Sequence, residues 1–575
     1  MTGDAIIGSA GRDGRGGPDA RDSNAVGSAG TATGPQSRRA IALETGRESL
    51  ESGIRGLRRA LRRPTASDVA MLCCTLLICI AVGATLVGLE LAALAVGAGL
   101  AAAVTTALLA SRRPLVRGIG GILAVPTAVL VSSPALLAGA LALTSSGVGL
   151  IAGAAVWSLV VAAFAAGLVS WQRFGRGGVR RGSTGTTLAA IGVAAVAAVP
   201  IVPRADLRAR AAAAVTDTVG QLWAALVTSP EPWTVVSFAG LVLVAAFLSS
   251  RALAAIPLER FVPPDRRDAL ATAVDTVRRS CSLSIRGAIA LVIAAVGAPL
   301  AVDRLEGPTV TPTDLRTELP APVGDAVATL VTTGDLRAGL LALAGIAVAL
   351  LVLERARRAA GRGPAVVIAR LIAPIVGGAL VALVLARALA GSALEAEIRT
   401  TLTTGLGGVA PPSVLEFLTS VPAFVLVAIV LILALGSLSS LLWTVTMLRV
   451  VRVLPRRGIA AALAAGSVFA LAIGLAAVGR LEPAIWTAAA AFVLWDIGEY
   501  ADGIRTELGR DAATMRAELV HVGGTVLSGG VVAGGTVALS RWGVTDVSIT
   551  DPALAAVAVG TGLFAVVLVT WALRG

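Results

Sequence analysis

The sequence predicts an all-α, polytopic transmembrane helical bundle of about fourteen spans (12–14), with both termini cytoplasmic. Three observations carry the prediction. The 575 residues are 56% hydrophobic and 14% charged, with a mean hydropathy of +0.85, whereas soluble chains are about 25% charged. Soluble cores stop growing near about 250–300 residues, so a chain this long with so little polar surface has lipid as its solvent. Finally, the apolar residues fall in stretches of span length, and arginines gather at every second connection between them.

The elements follow in chain order. Residues 1–44 are Gly, Ser, Ala, Asp and Arg with almost no large apolar side chain, a composition that cannot offset chain entropy and predicts a disordered cytoplasmic tail. No signal peptide is expected, because the first apolar stretch starts near Val69 and is already span-length. In residues 45–66, Thr45 and Glu48 have capping-box spacing. Leu50, Ile54, Leu57 and Leu61 share one helical face, and Arg55, Arg58, Arg59, Arg62 and Arg63 cover the rest. A basic amphipathic helix on the inner leaflet is expected there, with nucleic-acid contact the weaker alternative.

A span needs about 20 mostly apolar residues. That rule places spans one to four at 68–88, 91–110, 119–142 and 148–170, within a section 67–183. Spans five to ten fall at 185–202, 232–250, 285–302, 337–353, 368–389 and 420–443, within 184–457. Spans eleven to fourteen fall at 458–479, 483–497, 519–539 and 553–573, within 458–575. Pro126 and Pro134 make the third the least regular.

Sidedness is an independent test. All 48 basic residues are arginine, for which coding bias is one reading and bidentate phosphate contact another. With the N-terminus inside, the inner segments hold 31 arginines and the outer ones 9, beside 15 outer acids. That is the positive-inside pattern, and it would survive only an error of a whole hairpin. Trp171, Trp443, Trp495 and Trp571 lie at inner ends and Trp223, Trp233, Trp486 and Trp542 at or near outer ones, with only Trp157 in mid-span, which makes an aromatic belt. The excess of 13 positive charges points to anionic lipid headgroups at the inner face and to no nucleic acid.

Spans five to ten repeat a plan of hairpin, outer connection and Arg-rich inner loop. Val219-Gly220 through Leu226-Val227-Thr228 resembles Val323-Gly324 through Leu330-Val331-Thr332. Internal duplication and chance likeness of Ala/Val-rich segments both fit. The outer connections read as short amphipathic helices with apolar faces at Leu222, Leu226 and Val227 and at Val327, Leu330 and Val331. Such helices are either caps on the outer bilayer surface or a ligand lid.

Chemistry is sparse. Ionisable groups inside spans mark membrane enzymes and ion-coupled carriers, and here Glu90, Arg370, Arg387, Asp496 and Glu499 all fall near span ends. Glu518 and the single histidine, His521, have Glu-x-x-His spacing, but a di-metal bundle needs a second such pair. Cys73, Cys74, Cys79 and Cys281 form no metal or redox motif, and no disulfide is expected. No nucleotide loop, zincin or nucleophile-elbow pattern occurs. No catalytic, cofactor-binding or metal residue is assigned, and no cofactor is expected. Glycine pairs at 523–524, 529–530 and 534–535 point either to close packing of span thirteen, with span fourteen at Ala556 and Gly560 as its partner, or to a gating helix.

One inner stretch has excess acid: Asp496, Glu499, Asp502, Glu507, Asp511 and Glu518 against Arg505, Arg510 and Arg516. It holds the only Tyr and His, and Ile504, Leu508, Ala512 and Met515 form an apolar stripe. A cytoplasmic acidic helix at 498–518 is expected, either solvated, paired with neighbouring arginines, or docking a partner. The run from Trp495-Asp496-Ile497-Gly498-Glu499-Tyr500 to His521-Val522-Gly523-Gly524 resembles the C-terminal signature of an uncharacterised polytopic membrane-protein family of halophilic archaea, over residues 486–530. The resemblance implies association with a MoxR-type AAA+ ATPase, a von Willebrand-like-domain protein and a transglutaminase-like membrane protein, and a role in assembling or maturing cell-surface proteins. The arginine surplus departs from the acidic proteome of such organisms.

The expected protein is thus a multi-pass cell-membrane component of a larger assembly, not an enzyme. Its partner, a cytoplasmic or membrane protein, would bind through residues 496–518. The alternative is a secondary transporter or permease with a pathway among spans five to fourteen.

Overall fold

The computed structural model describes residues 66–144, 148–169, 171, 177–228, 233–256, 262–301, 311–360, 364–389, 392–407, 410–450, 454–455, 458–508 and 514–542. The expected tail 1–44, the basic helix 45–66 (but for Ala66) and span fourteen at 553–573 lie outside them. Eighteen α-helices and one short 3-10 turn occur among the described residues, and no strand does.

The first five helices are α1 (Ala66–Val87), α2 (Leu89–Leu109), α3 (Pro114–Thr144), α4 (Val148–Gly167) and α5 (Val179–Ile201). Next come α6 (Ala205–Thr228), α7 (Thr234–Ala255), α8 (Arg267–Ala301), α9 (Pro312–Glu318), α10 (Ala321–Thr332) and α11 (Gly334–Ala360). The remainder are α12 (Pro364–Leu389), α13 (Ala393–Leu406), α14 (Pro412–Ser420), α15 (Ala423–Val450), α16 (Ile459–Ala477), α17 (Leu481–Glu507) and α18 (Met515–Trp542). Ten are long and apolar enough to cross a membrane: α1, α2, α3, α5, α7, α11, α12, α15, α16 and α18. Helices α4, α8 and α17 also lie where spans were expected.

Lipid removes the hydrophobic drive between helices, so association depends on close packing of small side chains. The main core follows that rule. Ala95, Ala98 and Ala102 of α2, Val160 and Ala163 of α4, and Ala464 and Val468 of α16 belong to one buried cluster with Leu435 and Leu438 of α15. Glycine sets the closest crossings. A Cβ at Gly192 of α5 would lie 2.0 Å from the Ile375 carbonyl of α12, and one at Gly378 would lie 2.4 Å from the Ala189 carbonyl. The connection from α1 to α2 is the single residue Gly88, whose φ of 90° is open to glycine at little cost. Helices α7, α8 and α11 pack together and meet α15 through Phe247, Ile285 and Met447.

Several expectations change. Helix α3 runs unbroken through Pro126 and Pro134, and the Leu130 carbonyl, deprived of its amide by Pro134, accepts from the Ser133 hydroxyl at 3.1 Å. The connection 251–286, expected on the inner side, is partly helical, because α8 starts at Arg267, well before its apolar half. Of residues 498–518, those through Glu507 belong to α17 and those from Met515 to α18, while 509–513 lie outside the described residues. Helix propensity simply carries α17 past the apolar stretch. In α6 the buried residues are Leu207 and Ala214, while Leu222 is 58% exposed. Most glycines of α18 have open space beside them; only Gly529 packs closely, against Val493.

Candidate functional site

The contacts between helix ends fall into two groups. The start of α1 touches the end of α17 and the start of α18, and the end of α17 also reaches the chain just past α4. The connection before α3 touches the start of α12, and the end of α7 touches the end of α11. All of these were assigned to the arginine-rich side. On the other side, α6 meets the start of α11, Arg210 lies 3.8 Å from Glu416, and Arg541 of α18 pairs with Glu482 of α17. No contact named here joins an end from one side to an end from the other.

Guanidinium groups do much of this joining by capping carbonyls. The last four carbonyls of a helix lack intrahelical partners, and arginine brings five donors in a fixed fork. Arg337, in the first turn of α11, is fully buried. It donates to the Val331 carbonyl of α10 at 3.0 Å, the Leu226 carbonyl of α6 at 3.0 Å and the Thr234 carbonyl of α7 at 2.6 Å. It also donates to the Ser237 hydroxyl at 3.1 Å and stands over the Phe238 ring. Arg399 of α13 does the same for α14, reaching the carbonyls of Leu418 at 2.6 Å, Thr419 at 3.1 Å and Val421 at 3.1 Å. On the arginine-rich face, Arg358 donates to the Ala255 carbonyl that ends α7, and Arg370 to the Arg112 carbonyl at 3.1 Å.

The acidic stretch is tied into the same face. Arg505, in the last turn of α17, pairs with Asp68 in the first turn of α1, and both are buried. Each charge sits at the helix end where the macrodipole favours it. The guanidinium also reaches the Val169 carbonyl past α4 at 3.3 Å. Asp502 accepts from the Gly458 amide at 2.9 Å, capping α16. Glu518 accepts from the Ser67 amide at 2.9 Å, the Ser67 hydroxyl at 3.0 Å and the Thr514 hydroxyl at 2.6 Å. Asp68 and Ser67 were not anticipated as partners; the only hint was an acid at the start of a span, where arginine is the commoner flank.

Glu518 and His521 do not converge, despite their spacing. The His521 ring stacks on Tyr500 with centroids 3.8 Å apart. Its Nε2 lies 2.9 Å from Asp496 Oδ2, in an orientation that suits an ion pair better than a directed hydrogen bond. Asp496 also accepts from the Thr525 hydroxyl at 2.6 Å, and Trp495 donates to Glu499 at 2.8 Å. Among the described residues no three of His, Cys, Asp and Glu group as a metal-binding set. The four cysteines are free thiols.

Part of the stretch stays open. Of the expected apolar stripe, Ile504 is half-buried, Leu508 is 62% and Met515 66% exposed, and Ala512 lies outside the described residues. Glu507 and Arg516 flank them and are exposed.

Residues 410–570 match the model of a family of unknown function, DUF7519. The matched segment runs from α14 through α18 and contains the 486–530 signature. No curated protein and no solved structure matches the chain.

Proposed function

We propose that this multi-helix membrane protein is a non-enzymatic component of a membrane assembly, docking a protein partner on its arginine-rich face. In this reading the chain crosses the cell membrane about fourteen times with both termini and that face in the cytoplasm. One observation carries the reading: among the described residues, each buried charged side chain lies within two turns of a helix end. Asp68, Arg117, Arg337, Glu354, Arg505 and Glu518 are that set. Several buried hydroxyls are satisfied locally, as Thr75 is by the Met71 carbonyl at 2.7 Å and Ser467 by the Leu463 carbonyl at 2.8 Å, whereas those of Thr106 and Ser249 are buried without a partner. Thr105 and Thr127 bond each other at 2.8 Å.

Chemistry written at the ends suits a protein that is held and recognised there. The docking surface would be the exposed Leu508 and Met515 with Glu507 and Arg516 around them. The sequence likeness to a family of halophilic archaea over 486–530 adds surface-protein assembly as the process served.

The test is purification from native membranes in mild detergent. A stoichiometric partner should accompany the wild type and be lost from Leu508→Asp/Met515→Asp, with thermal stability kept. A partner-free wild type that drives solute uptake into reconstituted vesicles would replace this reading with the permease.

A further inference from the structure

Arg117 is buried to 8% exposure in the first turn of α3, yet among the described residues nothing accepts from its guanidinium, and its Nε is buried without a partner. Its charged neighbours are Arg370 of α12 and Arg181 of α5, both cations. Small residues force the three helices together here. A Cβ at Gly121 of α3 would lie 2.8 Å from Pro374 of α12. One at Gly182 of α5 would lie 2.7 Å from Thr106 of α2, and one at Gly120 of α3 2.7 Å from Leu109 of α2. Arg117 and Arg181 also stand in first turns, where the macrodipole adds positive potential. A buried charge without a counter-charge is strongly destabilising, and this one is surrounded by more of its own sign.

We infer that Arg117 anchors a phosphate-binding site between α3, α5 and α12 on the arginine-rich face, to which Arg370 and Arg181 lend positive potential. A phosphate group brings several acceptor oxygens, matches the guanidinium fork, and supplies the missing negative charge. Arg117, Arg181 and Arg370 all stand within two turns of helix starts, and basic pockets between the ends of spans take lipid headgroups. The ligand is a phosphate ester or phosphate ion, and the two sources are separable.

Full-length protein is placed in nanodiscs of phosphatidylcholine, with or without phosphatidylglycerol, and separately in phosphate or chloride buffer of equal ionic strength. Bound lipid is read by native mass spectrometry, and stability by thermal unfolding. Arg117→Gln should weaken retention of phosphatidylglycerol about tenfold or more, the loss of a charge-assisted bond. Arg117→Lys should fall between, and Arg267→Gln, at an exposed arginine on the same side, should match wild type. A lipid site shows retention that phosphate does not replace; a free-ion site shows stabilisation by phosphate in phosphatidylcholine alone. In phosphatidylcholine and chloride Arg117→Gln should be at least as stable as wild type, since it removes an uncompensated charge. Equal response of wild type and Arg117→Gln to both probes overturns the site, as does a large loss of stability in chloride. Neither result touches partner docking at Leu508 and Met515.

Discussion

Arg505 and Asp68 stand 437 positions apart and form a buried ion pair between the last turn of α17 and the first turn of α1. The pair closes the chain on itself, joining the segment matched to the family, 410–570, to the first helix of the bundle. Removing one partner leaves the other charge buried, at a cost of about 3–5 kcal/mol. Arg505→Ala should therefore lower the melting temperature in detergent sharply, and Asp68→Asn should do so too. Asp68→Leu/Arg505→Leu should recover much of the loss, because a buried pair replaced by apolar side chains is often neutral. Additive losses in that double mutant would show that the two residues do not act as a pair.

Arg337 should be irreplaceable by lysine. Its fork serves three carbonyls from three helices, and a buried acceptor left alone, as the Val331 carbonyl at the end of α10 would be, costs about 1–3 kcal/mol. Arg337→Ala should destabilise strongly. Arg337→Lys keeps the charge but loses the planar fork, and should restore only a minor part of the melting temperature. Full restoration by lysine would mean that charge alone matters at this position.

The crossing of α5 and α12 should reject even a methyl group. Gly192→Ala and Gly378→Ala place a Cβ against backbone oxygen at 2.0 Å and 2.4 Å, and overpacking of this kind costs about 1–3 kcal/mol or more. Gly523→Ala, beside open space in α18, should be neutral or slightly stabilising through helix propensity. Thermal unfolding of the three variants orders them directly.

How much of this was legible in the sequence depends on range. Hydropathy marked the ten helices long and apolar enough to cross a membrane, since it is summed over many residues and survives local error. Arg337 was merely one of the few outer arginines, because its carbonyl partners on α6 and α7 lie more than a hundred positions away. Glu518 was weighed with His521 as a metal-type pair, yet its carboxylate turns to Ser67, 451 positions away. The only tyrosine and histidine were noted as neighbours in one stretch, but their stacking needed α17 and α18 to fold back on each other. Helix was expected on both sides of residue 498, but that α17 runs through it to Glu507 without a break is not legible in periodicity, which marks faces and not helix ends.

Sidedness tests the account most directly, because docking and phosphate binding are both placed by it. In a variant with Cys73, Cys74, Cys79 and Cys281 replaced by serine, single cysteines are introduced at Arg267, Glu507, Arg210 and Glu416, all exposed, and labelled in intact cells with a membrane-impermeant maleimide. Arg210→Cys and Glu416→Cys should react in intact cells, and Arg267→Cys and Glu507→Cys only after permeabilisation. Labelling of Glu507→Cys and Glu416→Cys from the same side of the membrane would contradict the account.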